Sequence, residues 1–215
     1  RLLKEGYYVT VVDNLCEGTW DNLLDHPNLV KIQASILDDL SKIVPGHEII
    51  FHLAAIPWPQ KSVVEPLLTH KVNVDGTFNL LMSAKEHQVK RFIFSSSYTV
   101  YPMPLVPYSL HKLIGEQYCQ LFSNLWGLQT ISLRYFNVYG PGMRTDGQFT
   151  NLVPKFIKLI SANKAPTING DGEQSRDFVY VDDVIEAILI AASSPLTGTF
   201  NVGSGESTSI NDVVK

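Results

Sequence analysis

Arg91 to Ser97 reads RFIFSSS, Ser109 to Trp126 reads SLHKLIGEQYCQLFSNLW and Thr130 to Phe136 reads TISLRYF. The outer two are short apolar runs, and the middle one repeats its apolar residues at helical spacing, so the three predict strand, helix and strand. Parallel strands need a crossover of this kind, whereas antiparallel ones can turn back within two residues. Working outward, Tyr8 to Asp13 (YVTVVD), Leu29 to Gln33 and Glu48 to Leu53 give the same buried-strand signal, and Val63 to His87 reads as helical. Alternating helices and continuously apolar strands predict an α/β fold, a doubly wound parallel sheet covered on both faces.

After Gly140 the texture changes. Pro141, Gly142, Gly147, Pro154, Pro166, Gly170 and Gly172 interrupt the alternation, with helices expected near Leu152 to Ser161 and Val181 to Ala192. Residues 1–140 are therefore expected to form one domain and 141–215 a smaller lobe packed against it, with the cleft between them as the site. Arg1 to Gly6 reads as the last turns of a helix running into a glycine stop, and Lys215 falls early in a helix that Ser209 can cap, so both ends are expected to be truncated.

Composition narrows the function classes. The formal charge of −4 comes from interspersed acids and bases with no basic stripe, so nucleic acid is not an expected partner. No apolar run approaches the roughly 20 residues of a membrane span, and the visible segment is read as cytoplasmic. Cys16 and Cys119 lack CxxC spacing, which excludes a disulfide framework and a zinc site. Both are read as packing residues, and no metal is expected.

Tyr108 and Lys112 stand in YSLHK just after Pro107, and a spacing of four puts them on one helical face. A phenol is a poor base at neutral pH, but a nearby ammonium favours the phenolate and makes a general acid/base of it. The motif alone also fits a half-buried tyrosine beside a solvated lysine. Ser95-Ser96-Ser97 ends a strand where a sheet's carboxyl edge can offer hydroxyls to a ligand, or is simply a polar exit from the strand. Asp13 at the end of YVTVVD can take the ribose hydroxyls of a dinucleotide or close a turn.

Eight blocks in order carry a further reading: VVDN (Val11 to Asn14), FHLAA (Phe51 to Ala55), NVDGT (Asn73 to Thr77), FSSSYTVY (Phe94 to Tyr101), PYSLHK (Pro107 to Lys112), RYFNVYGPG (Arg134 to Gly142), NLVPKFI (Asn151 to Ile157) and GDGEQSRDFVYVDD (Gly170 to Asp183). Over nearly its whole length the chain resembles the extended short-chain dehydrogenase/reductase family, the NAD-dependent epimerases and dehydratases of nucleotide sugars. The resemblance implies a Rossmann-type domain binding NAD, a nucleotide-sugar substrate such as a UDP-sugar, and a homodimer.

Carried over by position, it implies that Tyr108 is the base, Lys112 lowers its pKa and holds the nicotinamide ribose, and Ser97 orients the sugar hydroxyl. Asp13, Asn14, Leu53, Ala54, Ala55, Asn73, Ser95 and Tyr135 would line the cofactor with Tyr108 and Lys112. Asn137, Asn151, Leu152, Thr167 and Arg176 would face the nucleotide diphosphate with Ser97. A guanidinium fork suits phosphate oxygens, although Arg176 also reads as a surface arginine paired with Asp177.

The chain departs from the family pattern in three places. The first strand and the glycine-rich turn that should precede Arg1 are absent, Ser35 stands where an acid is usual near the adenine, and Ser97 to Tyr108 is short. The implied reaction is 4-epimerisation of a nucleotide-linked hexose through a 4-keto intermediate. Thr99 supports it, because the dehydratase relatives carry an Asp-Glu pair at 98 and 99 and the decarboxylases a Glu at 99. A UDP-glucuronate decarboxylase, a 4,6-dehydratase and a truncated non-catalytic relative remain the alternatives. Tyr98 and Pro102, in place of a small residue and a glycine, imply an altered sugar pocket.

Overall fold

A computed structural model describes residues 1–144 and 151–215; Gly147, one of the expected breakers, lies outside them. Among the described residues the first half runs β1 (Val9–Asp13), β2 (Leu29–Gln33), β3 (Ile49–His52), α1 (Pro59–Val64), α2 (Pro66–His70), α3 (Gly76–Glu86) and β4 (Arg91–Ser97). It continues through α4 (Pro107–Trp126), β5 (Gln129–Tyr135), β6 (Asn137–Tyr139), α5 (Leu152–Ser161), β7 (Ser175–Arg176) and β8 (Phe178–Tyr180). Last come α6 (Val181–Ser193), β9 (Gly198–Val202), β10 (Thr208–Ser209) and α7 (Ile210–Val214).

The main sheet has the order β3-β4-β5-β9, every pair parallel. A separate parallel pair, β1-β2, stands beside it, and no described strand lies between the two ladders. Thr10 of β1 and His47, just ahead of β3, connect them through an Oγ1 to Nε2 hydrogen bond of 2.8 Å.

Side chains alternate across a strand, and β4 uses both of its faces. Phe92 and Phe94 point into a core built with Leu81, Ala84, Cys119 and Phe122 from α3 and α4. Ile93 points the other way, onto Ile131, Leu133 and Ala191 of α6. Burying such side chains is worth about 1.5–3 kcal/mol each, so the helices on both faces are held mainly by β4 and β5. Gly115 sets how closely α4 approaches: a Cβ there would stand 2.3 Å from Cζ of Phe94.

Several expectations need correction. The helix expected over Val63 to His87 is broken, because Pro66 has no N–H to continue α1 and instead begins α2; a π-helical turn over Lys71–Asp75 then leads into α3. Leu2–Glu5 is a 3-10 turn, closed by Gly6 in the left-handed region at φ 84°. Cys119 packs in the core as expected, but Cys16 is exposed in the loop after β1. β9 follows α6 back into the main sheet, while β6-β8 and the antiparallel β7-β10 pair build the flanking part.

Candidate active site

The carboxyl ends of β3, β4 and β5 lie side by side, and β4 and α4 together carry the expected catalytic residues. Pro107 opens α4 at its first turn, where a missing N–H costs nothing, and the Tyr108 N–H donates to Ser62 Oγ at 3.0 Å. Tyr108 and Lys112, one turn apart, are both buried against β4. Nζ of Lys112 donates to the Ser95 carbonyl at 2.7 Å and lies 5.8 Å from the centre of the Tyr108 ring. Ser97 is the hydrogen-bonding neighbour of the Tyr108 hydroxyl. Its Oγ also accepts from Thr99, from the backbone N–H at 3.3 Å and from Oγ1 at 3.0 Å.

Burial pushes the Tyr108 phenol up to about 12, and the bond from Ser97 offsets only part of the rise. The Lys112 ammonium is tied to the Ser95 carbonyl, and burial brings its own pKa down to about 8. A buried ammonium with one protein acceptor and no carboxylate partner among the described residues has donors to spare.

The other residues expected at the cofactor fall into two groups. Ser95 Oγ donates to the Tyr135 hydroxyl at 3.3 Å, joining the ends of β4 and β5 beside Lys112. Leu53 and Ala54 are exposed beyond β3, and Ala54 and Ala55 end in a methyl, so the edge stays open to close approach. Asn73 positions that edge: its Oδ1 accepts from Ile56 N–H at 2.8 Å and its Nδ2 donates to Ile56 O at 3.0 Å. Asp13 ends β1 as expected and closes a turn, with Oδ1 accepting from Leu15 N–H at 2.7 Å; Asn14 does the same for Cys16. Gly18 sits against the second oxygen, where a Cβ would be 3.0 Å from Oδ2. The donor set of Lys112, Ser95 and Tyr108, with a carboxylate at the end of β1, fits a dinucleotide with ribose hydroxyls at both ends.

Farther along the sheet edge lies a cavity of about 540 Å³ lined by Tyr98, Phe136, Asn137, Arg176, Asp177 and the loop Gly205 to Ser207 with Ser175. Arg176 is exposed, and its Nη1 donates to the Ser175 carbonyl at 2.7 Å. It is not paired with Asp177. That carboxylate accepts from Ser204 N–H and Oγ and from Gly205 N–H, and so fixes the loop opposite. Among the described residues no carboxylate neutralises the Arg176 guanidinium, which leaves an open cation on the cavity wall. Asn137 joins the same wall by donating from Nδ2 to the Asp177 carbonyl at 3.0 Å. Asn151, Leu152 and Thr167 do not line the cavity.

Two functional features escaped sequence reasoning. Asp177 and the Gly205 to Ser207 loop line the cavity, and their signal was a glycine-serine loop following an apolar run, TFNV, at the end of β9. Glu116 is the other. It is buried one turn beyond Lys112, where it accepts from Ser96 Oγ at 2.5 Å and from Arg134 Nε at 2.8 Å and Nη2 at 2.6 Å. Arg134 also bonds the Tyr101 hydroxyl and lies over that ring, 4.3 Å from its centre. The strand edge, α4 and the short segment after Ser97 are thus pinned to one charge pair whose carboxylate is buried and whose guanidinium is partly so.

The family model described as the NAD dependent epimerase/dehydratase family matches residues 1–203. A protein of Methanocaldococcus jannaschii named putative UDP-glucose 4-epimerase is 34% identical over 99% of this chain and 74% of its own length. The UDP-N-acetyl-alpha-D-glucosaminuronate decarboxylase of Bacillus cytotoxicus is 32% identical over 100% of this chain and 73% of its own. Among solved structures, the UDP-N-acetylglucosamine 4-epimerase of Methanobrevibacter ruminantium, in complex with UDP-N-acetylmuramic acid, superposes with a TM-score of 0.94 at 38% identity. That match covers 96% of this chain and 72% of the other.

Proposed function

We propose, from the premise that the chain belongs to the NAD-dependent epimerase/dehydratase family, that it epimerises a nucleotide-linked hexose, a UDP-sugar, at C4. The observation that carries this reading is the buried group on β4 and α4, with the Tyr108 hydroxyl bonded to Ser97 and Lys112 beneath the ring. Lys112, Ser95, Tyr135 and Asp13, along the edge that Asn14, Leu53, Ala54, Ala55 and Asn73 complete, would hold NAD, which would supply a hydride acceptor able to return the hydride it takes from C4. Ser97 holds the C4 hydroxyl, and Tyr108 takes its proton as the sugar becomes a 4-keto intermediate. The ketone turns over, and Tyr108 returns the proton from the same position.

On the substrate side, Arg176 meets the diphosphate as the open cation of the cavity, with Asn137 on the wall beside it. Asn151, Leu152 and Thr167 would reach the nucleotide from outside the cavity lining. Residues 1–140 would thus carry the cofactor and 141–215 most of the substrate contacts. Exposed Leu67, Leu110, Leu121, Leu125 and Trp126 on α2 and α4 support a homodimer formed through that face. Two free thiols suit the cytoplasm as its compartment.

The matching decarboxylase keeps one sister activity in view. Losing carbon dioxide or water after oxidation calls for a carboxyl group poised at the sugar, and the turn after Ser97 offers Tyr98 and Thr99 instead. The protein would be incubated with UDP-glucose, UDP-N-acetylglucosamine and UDP-glucuronate in turn and the products followed by proton NMR. A C4 epimer is expected from at least one hexose donor. A pentose from UDP-glucuronate, or a 6-deoxy methyl signal, would overturn the epimerase reading.

A further inference from the structure

Tyr98 directly follows Ser97, and the Ser97 side chain caps the 3-10 turn that Tyr98 begins, so the backbone of this residue is fixed relative to the reacting hydroxyls. Its ring stacks on Phe136, with centroids 5.2 Å apart and planes 20° from parallel. Both rings line the cavity that holds Arg176, whereas Ser97 and Tyr108 do not. The two stacked rings therefore stand where the cavity meets the catalytic group. Tyr98 is also close enough to Tyr108 to help keep that phenol protonated. The rest of the cavity lining, Asn137, Ser175, Arg176, Asp177 and Glu206 among it, is polar or charged, so this wall is its aromatic end.

We propose that Tyr98 is the specificity-determining residue of this site: stacked on Phe136, its ring walls the sugar end of the cavity, admitting a compact, hydroxyl-only hexose and excluding one with a bulky N-acyl arm. The inference rests on the nucleotide-sugar reading above and narrows its substrate class. A wall of two stacked rings has little freedom to retreat, because a shift of Tyr98 must break the stack or the capped turn. An apolar face can cover the C–H groups of a pyranose, but it offers an acetamido group neither donor nor acceptor, and such a mismatch leaves buried polar groups unpaired.

Affinities of UDP-glucose, UDP-N-acetylglucosamine and UDP alone would be measured by titration calorimetry on the wild-type protein, Tyr98→Ala and Tyr98→Phe. The wild-type protein is expected to favour UDP-glucose by about 10-fold or more, within the range that one pocket group commonly sets. Tyr98→Ala should bring the two affinities within about threefold, chiefly by gaining the acetylated sugar, and Tyr98→Phe should keep the wild-type ratio because the ring carries the effect. UDP alone should bind all three proteins alike, which also reports that each is folded; should Tyr98→Ala fail that check, Tyr98→Leu takes its place. An unchanged ratio in Tyr98→Ala, or a wild-type protein indifferent to the acetyl group, would overturn the proposal. Failure of the epimerase reading is scored separately, as absence of a C4 epimer from every hexose donor, and leaves the affinity ratio to decide on Tyr98.

Discussion

The two ends of the candidate site are built in opposite ways. Around β4 and α4 the key polar groups are largely buried and held within the fold: Lys112 by the Ser95 carbonyl, Ser97 by Thr99 and Tyr108, and Glu116 by Ser96 and Arg134. Around the cavity the residues are exposed or half-buried, and among the described residues the Arg176 guanidinium donates to a neighbouring carbonyl and meets no carboxylate. Proton transfer demands a fixed geometry and works only within hydrogen-bond reach, so its residues are locked into the sheet before any ligand arrives. A diphosphate brings its own charge and can order an exposed guanidinium on binding. Substitutions at the first end should therefore change turnover or stability, and those at the second should change affinity.

Four measurements sharpen or break that contrast. The largest effect belongs to Tyr108→Phe, which removes the proposed proton carrier and leaves the packing. Turnover should fall by about 10²- to 10⁴-fold with thermal stability nearly unchanged, and a rate within a few-fold of wild type would remove Tyr108 from its role. Next is Glu116→Gln. It leaves Arg134 half-paired beneath the strand edge, and breaking a buried ion pair typically costs about 3–5 kcal/mol. Denaturant unfolding would show that loss, whereas a cost below about 1 kcal/mol would mean the pair behaves like one on the surface.

Arg176→Ala should weaken UDP-sugar binding by about 10- to 100-fold, the equivalent of one or two charge-assisted hydrogen bonds, with the unfolding midpoint unmoved. A stability loss without an affinity loss would reverse the assignment of that end. The smallest effect is on the acid limb of stability. Burial pushes His52 down to about 3 and His111 to about 4, so both stay neutral in the fold while an unfolded chain protonates them near 6.5. Below pH 6.5 the unfolded state thus binds more protons, and this contribution to stability is lost as the pH falls towards 4. The pH dependence of unfolding should report about two protons taken up there, and His111→Phe should remove one of them.

The same contrast separates what could be read from the sequence from what could not. β4, α4 and β5 were legible because a continuous apolar run and a helical repeat are local signals, and Tyr108 and Lys112 share a face by spacing alone. Glu116 was not legible. Four residues after Lys112 it reads as an ordinary helix-surface acid, and only its pairing with Arg134 of β5 makes it a buried charge. The break at Pro66 was written in the chain but lost to the apolar run around it. Arg176 was legible as a residue type, yet its separation from Asp177 depends on the loop Ser204 and Gly205 folding back onto that carboxylate, a contact about 27 residues away that no local pattern announces. Spacing likewise put Lys112 beside Tyr108 but could not show its Nζ bound to the Ser95 carbonyl beneath the ring.

The division of labour between the two ends is tested most directly by titrating UDP into Tyr108→Phe and Arg176→Ala side by side. Tyr108→Phe should bind UDP as the wild-type protein does, because its missing hydroxyl belongs to the buried end, and Arg176→Ala should bind it about tenfold or more weakly. Equal losses in both variants, or a loss in Tyr108→Phe alone, would contradict the account.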